Sequence, residues 1–185
     1  MKYLAKEKLG NKLISKKNRI GILGGSFDPA HKGHVAISKE AIRRFKLKKV
    51  IWAITKKNPF KKKSSKSLLI RMKNCKEIIK KFKSIQLGFY EDKIKSNKTI
   101  SLINYFTKNK KNEIYFLMGA DNLINFHKWH KCKIITKKCN IIVFDRYGYK
   151  KKSLDSTTYK RLNKKNLKFV EFKKVNISSS QLRKI

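Results

Sequence analysis

An open parallel α/β sheet with helices on both faces is the fold class that this sequence predicts, on three observations. Continuous apolar runs of strand length, such as VIWAI at 50–54 and NIIVF at 140–144, alternate with stretches whose apolar residues recur at helical spacing. No repeat or linker breaks that alternation from one end of the chain to the other. Residues 20–34, IGILGGSFDPAHKGH, carry a strand into paired glycines and on to a helix entrance marked by His31 and His34. In open α/β sheets ligands bind at such a place, where the carboxyl end of a strand faces a helix N-terminus.

Each element has its own signal. Residues 1–18 are lysine-rich; Gly10 interrupts a weak amphipathic pattern, so they are expected to be a basic appendage to one domain spanning 19–185. The first strand is expected at 20–25 and the first helix at 33–45, followed by a strand at 49–54 and a loop turning at Asn58-Pro59. Ser67 is placed to cap a helix on which Leu68, Leu69, Met72, Cys75, Ile78, Ile79 and Phe82 recur. A third strand is expected at 85–90, then a helix capped by Thr99, a fourth strand at 113–118 and a short helix over 126–130. The fifth strand is 140–144, and a weaker helix near 154–162 and a strand at 167–172 follow. Asp121 is placed to cap the helix after the fourth strand, while Arg71 and Arg146 read as solvated surface charges.

Composition excludes several functions. The 185 residues are enough for one domain with a full core, and 40% hydrophobic content is compatible with a globular chain. The formal charge of +39, from 50 basic and 11 acidic residues, invites a nucleic-acid reading. The basic residues are overwhelmingly lysines spread along the whole chain, beside abundant Asn and Ile. All three types have A/T-rich codons, so compositional drift accounts for the charge, and no nucleic-acid partner is expected. A basic surface still favours encounter with anionic small molecules. Cys75, Cys132 and Cys139 show no C-x-x-C pairing, which fits a reducing, cytoplasmic compartment. No apolar run has the length of a membrane span.

The chemistry concentrates at two places. Residues 24–34 lack the patterns of a P-loop, a dinucleotide fingerprint and H-E-x-x-H, and no carboxylate cluster accompanies the histidines, so no protein-based metal site is expected. Paired glycines, a helix N-terminus and two imidazoles suit an anion instead. Ser178-Ser179-Ser180-Gln181-Leu182-Arg183 is the second place: serines that cap a helix leave N–H groups for a ligand, with Arg183 about one turn on.

GGSFDPAHKGH together with ISSSQLR resembles the nucleotidylyltransferase superfamily, with its H-x-G-H motif and later serine/threonine–arginine segment. GADN at 119–122, Trp129 and VFDR at 143–146 are similar to the bacterial nicotinate mononucleotide adenylyltransferases within it. The resemblance spans about residues 20–183 and implies a Rossmann-like fold. It also implies adenylyl transfer from ATP to nicotinate mononucleotide, giving nicotinate adenine dinucleotide and pyrophosphate in NAD biosynthesis. His31, His34 and Arg183 would then act on the phosphates. Gly24, Gly25, Ser26, Phe27, Gly119, Asp121, Ile177, Ser178 and Ser179 would bind ATP, and Asn58, Lys61, Thr99 and Trp129 the mononucleotide. Mg²⁺ would be held mainly by ATP phosphates, and a homo-oligomer is compatible with the resemblance. Thr55 and Lys98 depart from the pattern, where many relatives have proline and an aromatic residue, and the closing helix is expected to be little more than a turn. A phosphopantetheine adenylyltransferase shares both phosphate motifs, but GADN with Trp129 speaks against it. The rival of another class is a basic nucleic-acid-binding protein.

Overall fold

The computed structural model describes residues 17–57, 66–162 and 164–171. Six parallel strands form one sheet in the order β3-β2-β1-β4-β5-β6. They are β1 (Asn18–Gly25), β2 (Lys49–Ile54), β3 (Ile85–Phe89), β4 (Asn112–Gly119), β5 (Asn140–Phe144) and β6 (Leu167–Val170). Consecutive strands step outward from β1 to β3, and the chain then returns to place β4 on the other side of β1. That reversal is the topological switch point, where the crossover helices change face and leave a crevice above the strand ends.

The central strands read as unbroken apolar runs because both sides are covered. Ile20 and Ile22 of β1, Phe116 of β4 and Ile141 of β5 face one layer, packed beneath α4 (Thr99–Thr107), α5 (Ala120–Ile124) and α6 (Cys132–Lys138). Leu23, Val50, Trp52, Leu117 and Phe144 face the other, beneath α1 (Lys32–Phe45) and α2 (Leu68–Ile79). Register aligns Gly25 of β1 with Ile54 of β2, and Leu23 with Leu117 of β4, so these strand ends finish at one level.

Several local expectations change. Asn18 already pairs with Asn112 and belongs to β1, not to the appendage. Thr99 is the first residue of α4, not its cap: Lys98 holds the extended cap position, and the Ser96 hydroxyl takes the Lys98 N–H at 3.2 Å. A short helix α3 (Glu91–Ile94) intervenes after β3. The helix expected over 126–130 is a 3-10 turn at Phe126–Lys128, followed by α6. The weak helix near 154–162 is α8 (Thr157–Arg161), capped by the Ser156 hydroxyl, and an unexpected short helix α7 (Lys150–Leu154) precedes it. Ser67 does cap α2, accepting from the Ile70 N–H. Leu69, expected in the core, is 78% exposed.

Candidate active site

A cleft of about 600 Å³ opens over the carboxyl ends of β1, β2, β4 and β5. Its size is in the range of small-molecule and cofactor sites. One wall is the turn after β1 and the start of α1. There His31 is the N-cap, and its Nδ1 accepts the Gly33 N–H at 3.1 Å. His34, one turn on, returns the contact by accepting the His31 N–H on its own Nδ1 at 3.2 Å. Because a backbone N–H donates to each Nδ1, each neutral ring keeps its proton on Nε2 and acts there as a donor. The rings lie 3.8 Å apart. No acidic side chain occupies the first turn of α1.

The buried core locks this pair from behind. Trp52 of β2 donates from Nε1 to the Ser38 hydroxyl at 2.9 Å, and Ser38 donates to the His34 carbonyl at 2.8 Å. Phe27 stacks on Trp52 with centroids 4.9 Å apart and meets the His34 ring at 4.9 Å. Phe27 is buried and adopts a left-handed φ of 48°, which reverses the chain between the glycines and His31.

The opposite wall is built on β4 and β5. Asp121, half a turn into α5, does not cap it; its carboxylate pairs with Arg146 at 2.6 Å, and both line the cleft. Arg146 is thus an ion-pair partner in the cleft wall rather than a solvated charge. A side chain at Gly119 would bring a Cβ within 2.5 Å of Asp121 Oδ1, so glycine is what lets the carboxylate fold back beside the end of β4. Trp129 is half-buried, edge-on to Phe126 at 5.1 Å and to Phe116 at 5.9 Å, and borders the cleft. Its turn is fixed by Thr158 of α8, whose hydroxyl donates to the Ile124 carbonyl and lies 2.7 Å from His127 Nδ1.

The third wall is the segment Tyr90–Thr99. Glu91 accepts from the Thr55 hydroxyl and, at 3.2 Å, from the Lys56 N–H, tying this segment to the end of β2. Tyr90 packs edge-on against Phe106 at 5.1 Å. Burial raises its phenol pKa, with Tyr105 nearby acting in the same direction. A Cβ on Gly88 would stand 2.4 Å from the Tyr90 ring. Gly88→Ala should therefore push Tyr90 into the cleft and cost about 1–3 kcal/mol, read as a lowered melting temperature.

Of the residues singled out in the sequence, the structure gathers His31, His34, Gly24, Gly25, Ser26, Phe27, Gly119, Asp121, Thr99 and Trp129 around this one cleft. Asn58, Lys61, Ile177, Ser178, Ser179 and Arg183 lie outside the described residues. Sequence reasoning missed Trp52, Ser38 and Glu91 as supports, and it misplaced Arg71, which is 2% exposed behind the β1 turn. Burial pushes the thiols of Cys75 and Cys139 up to about 12, so neither of these two is poised as a nucleophile. Among the described residues no group of three or more His, Cys, Asp or Glu converges to hold a metal. No helix among them is long and apolar enough to cross a membrane.

Comparison with known proteins agrees with this architecture. The cytidylyltransferase-like family model matches residues 22–185. A protein of Pelagibacter ubique (strain HTCC1062) named "Probable nicotinate-nucleotide adenylyltransferase" is 65% identical over 175 residues, covering 95% of this chain and 97% of that one. Its namesake in Clostridium botulinum (strain Eklund 17B / Type B) is 36% identical over 172 residues, covering 90% and 84%. Plasmodium falciparum nicotinic acid mononucleotide adenylyltransferase, solved in complex with NaAD, superposes with a TM-score of 0.76 at 21% identity. That match covers 90% of this chain and 83% of the other, and at such identity it shows a shared fold. The chain belongs to the cytidylyltransferase-like family and, within it, to the nicotinate-nucleotide adenylyltransferases.

Proposed function

We infer that the protein transfers the adenylyl group of ATP to nicotinate mononucleotide, forming nicotinate adenine dinucleotide and pyrophosphate, a cytoplasmic step of NAD biosynthesis. The observation that carries this reading is the His31–His34 pair at the mouth of α1, two Nε2–H donors set by reciprocal backbone bonds beside the β1–β4 switch point.

The reaction asks for alignment more than for proton transfer. A phosphate oxygen of the mononucleotide attacks the α-phosphorus of ATP in line. The new P–O bond forms as the bond to the β-phosphate bridge breaks, and pyrophosphate carries the electron pair away. The nucleophile is already anionic at neutral pH, so no side chain has to act as its base. The protein's share is positioning and stabilisation of charge on the transferring group. His31 and His34 donate to the phosphate oxygens, with Gly24, Gly25, Ser26 and Phe27 forming the path along which the chain is laid. Gly119 and Asp121 sit where a ribose would meet the end of β4. Trp129 offers a partly exposed ring for the pyridine, with Thr99 across the cleft. Mg²⁺ enters as part of the Mg–ATP substrate, held by phosphate oxygens. This suits a cleft whose carboxylates are already engaged: Glu91 with Thr55, Asp121 with the Arg146 guanidinium, and Asp145 with the Arg146 N–H.

The test is pyrophosphate release from Mg–ATP with nicotinate mononucleotide, nicotinamide mononucleotide or phosphopantetheine as sole acceptor. Fastest release with the first is expected. Release with phosphopantetheine alone would overturn the substrate, and release with none would overturn the activity.

A further inference from the structure

Arg71 is an unusual residue to find inside this fold. It sits on α2, is 2% exposed, and among the described residues the groups its guanidinium donates to are main-chain carbonyls, not carboxylates. Its guanidinium donates to four backbone carbonyls: Ser26 at 2.5 Å, Thr55 at 2.9 Å, Lys56 at 3.1 Å and Lys66 at 3.1 Å. Burying a cation without a counter-ion is costly, and the cost is offset only when its N–H groups are satisfied. Here the satisfying carbonyls come from three separate segments: the turn after β1, the loop after β2 and the approach to α2. Two of those residues, Ser26 and Thr55, line the cleft.

The bonds also fix which way the intervening peptide groups point. In a trans peptide the C=O and the following N–H are antiparallel. The Thr55 carbonyl faces Arg71, and the Lys56 N–H accordingly faces away and reaches Glu91. The same rule at Ser26 directs the Phe27 N–H away from the guanidinium, at a residue whose left-handed φ of 48° begins the turn into His31. Successive N–H groups in such a turn form an anion-binding concavity. A lysine could not reproduce this: its ammonium is a point, and the four acceptors need the spread of a planar fork.

We propose that Arg71 is a positioning residue of the adenylyl-transfer site, which holds the Ser26–Phe27 peptide so that its N–H is set toward the nucleotide's phosphates beside His31 and His34. The proposal rests on the adenylyltransferase reading.

Arg71→Lys keeps the charge and loses the fork; Arg71→Met loses both. Each variant is assayed well below its own melting temperature, with folding checked by circular dichroism, for kcat/KM with Mg–ATP. Affinity for inorganic pyrophosphate is measured separately by calorimetry. Misplacement of a phosphate donor is expected to lower kcat/KM by about 10²-fold in both variants. Pyrophosphate binding should weaken by about tenfold, the worth of one charge-assisted hydrogen bond. Wild-type values per folded molecule in both variants would make Arg71 merely structural, and wild-type values in Arg71→Lys alone would make charge sufficient. Failure of both to fold would make it a fold-holding residue. Any of these overturns the proposal. An inactive wild type that still binds pyrophosphate more tightly than Arg71→Lys would instead strike the adenylyltransferase reading and leave the positioning role standing.

Discussion

Replacing His34 with alanine should lower kcat by about 10²–10³-fold, the loss found when one preorganised donor to a developing oxyanion is removed. The effect on folding should be much smaller. The substitution orphans the His31 N–H, which His34 Nδ1 now accepts at 3.2 Å, and such a lost bond costs about 1–2 kcal/mol. At about 2–4 °C per kcal/mol for a chain of this size, the melting temperature should fall by only a few degrees. Pyrophosphate-release kinetics beside a thermal melt separate the two effects. A loss of less than tenfold in kcat at full folding would remove His34 from the phosphate site. His31→Ala should behave similarly, and the double variant should cost less than the product of the single losses. The two rings orient each other through the helix cap, so removing either already disorganises its neighbour.

The dependence of one histidine on the other explains how much of this molecule could be read from its letters. β2, β4 and β5 were legible because a strand covered on both faces must be apolar at nearly every position. The turn at 24–34 was legible because a strand end, paired glycines and a helix entrance follow one another in a fixed order, although the capping role of His31 left no such mark. α6 was not: it follows Lys131 in a left-handed conformation, and of its few apolar residues Ile135 is buried while Ile134 is 40% exposed, so no periodicity builds up. Leu69 misled in the opposite sense, counted in a helical apolar pattern while facing outward. Arg71 was illegible for a deeper reason. Its partners are main-chain carbonyls, which carry no letter, and every arginine in a lysine-rich chain looks like surface. Trp52 shows the same limit, since its apolar run announces burial but not the hydrogen bond to Ser38 that steadies His34.

Phe27 is where fold and site are joined most tightly, and its truncation should be the most destabilising change among those considered. The ring is 2% exposed, stacked at an interplanar angle of 12° on the fully buried Trp52 and in contact with His34. Phe27→Ala should cost about 3–5 kcal/mol, from lost burial plus the cavity left between those two rings. That corresponds to a fall of about 10 °C in melting temperature. Turnover should drop as well, because the His34 ring loses one of the surfaces that hold it. A second variant tests the backbone part of the argument. In most positions glycine is worse than alanine by about 0.5–1 kcal/mol, because it has more freedom to lose. At a φ of 48° the order should reverse: a β-carbon in the left-handed region costs about 1–2 kcal/mol, which glycine does not suffer. Phe27→Gly should therefore melt no lower than Phe27→Ala, although it removes one more carbon. A glycine variant clearly less stable than the alanine variant would mean that the turn into His31 is not held in the left-handed conformation. The reciprocal histidine cap would then need another explanation.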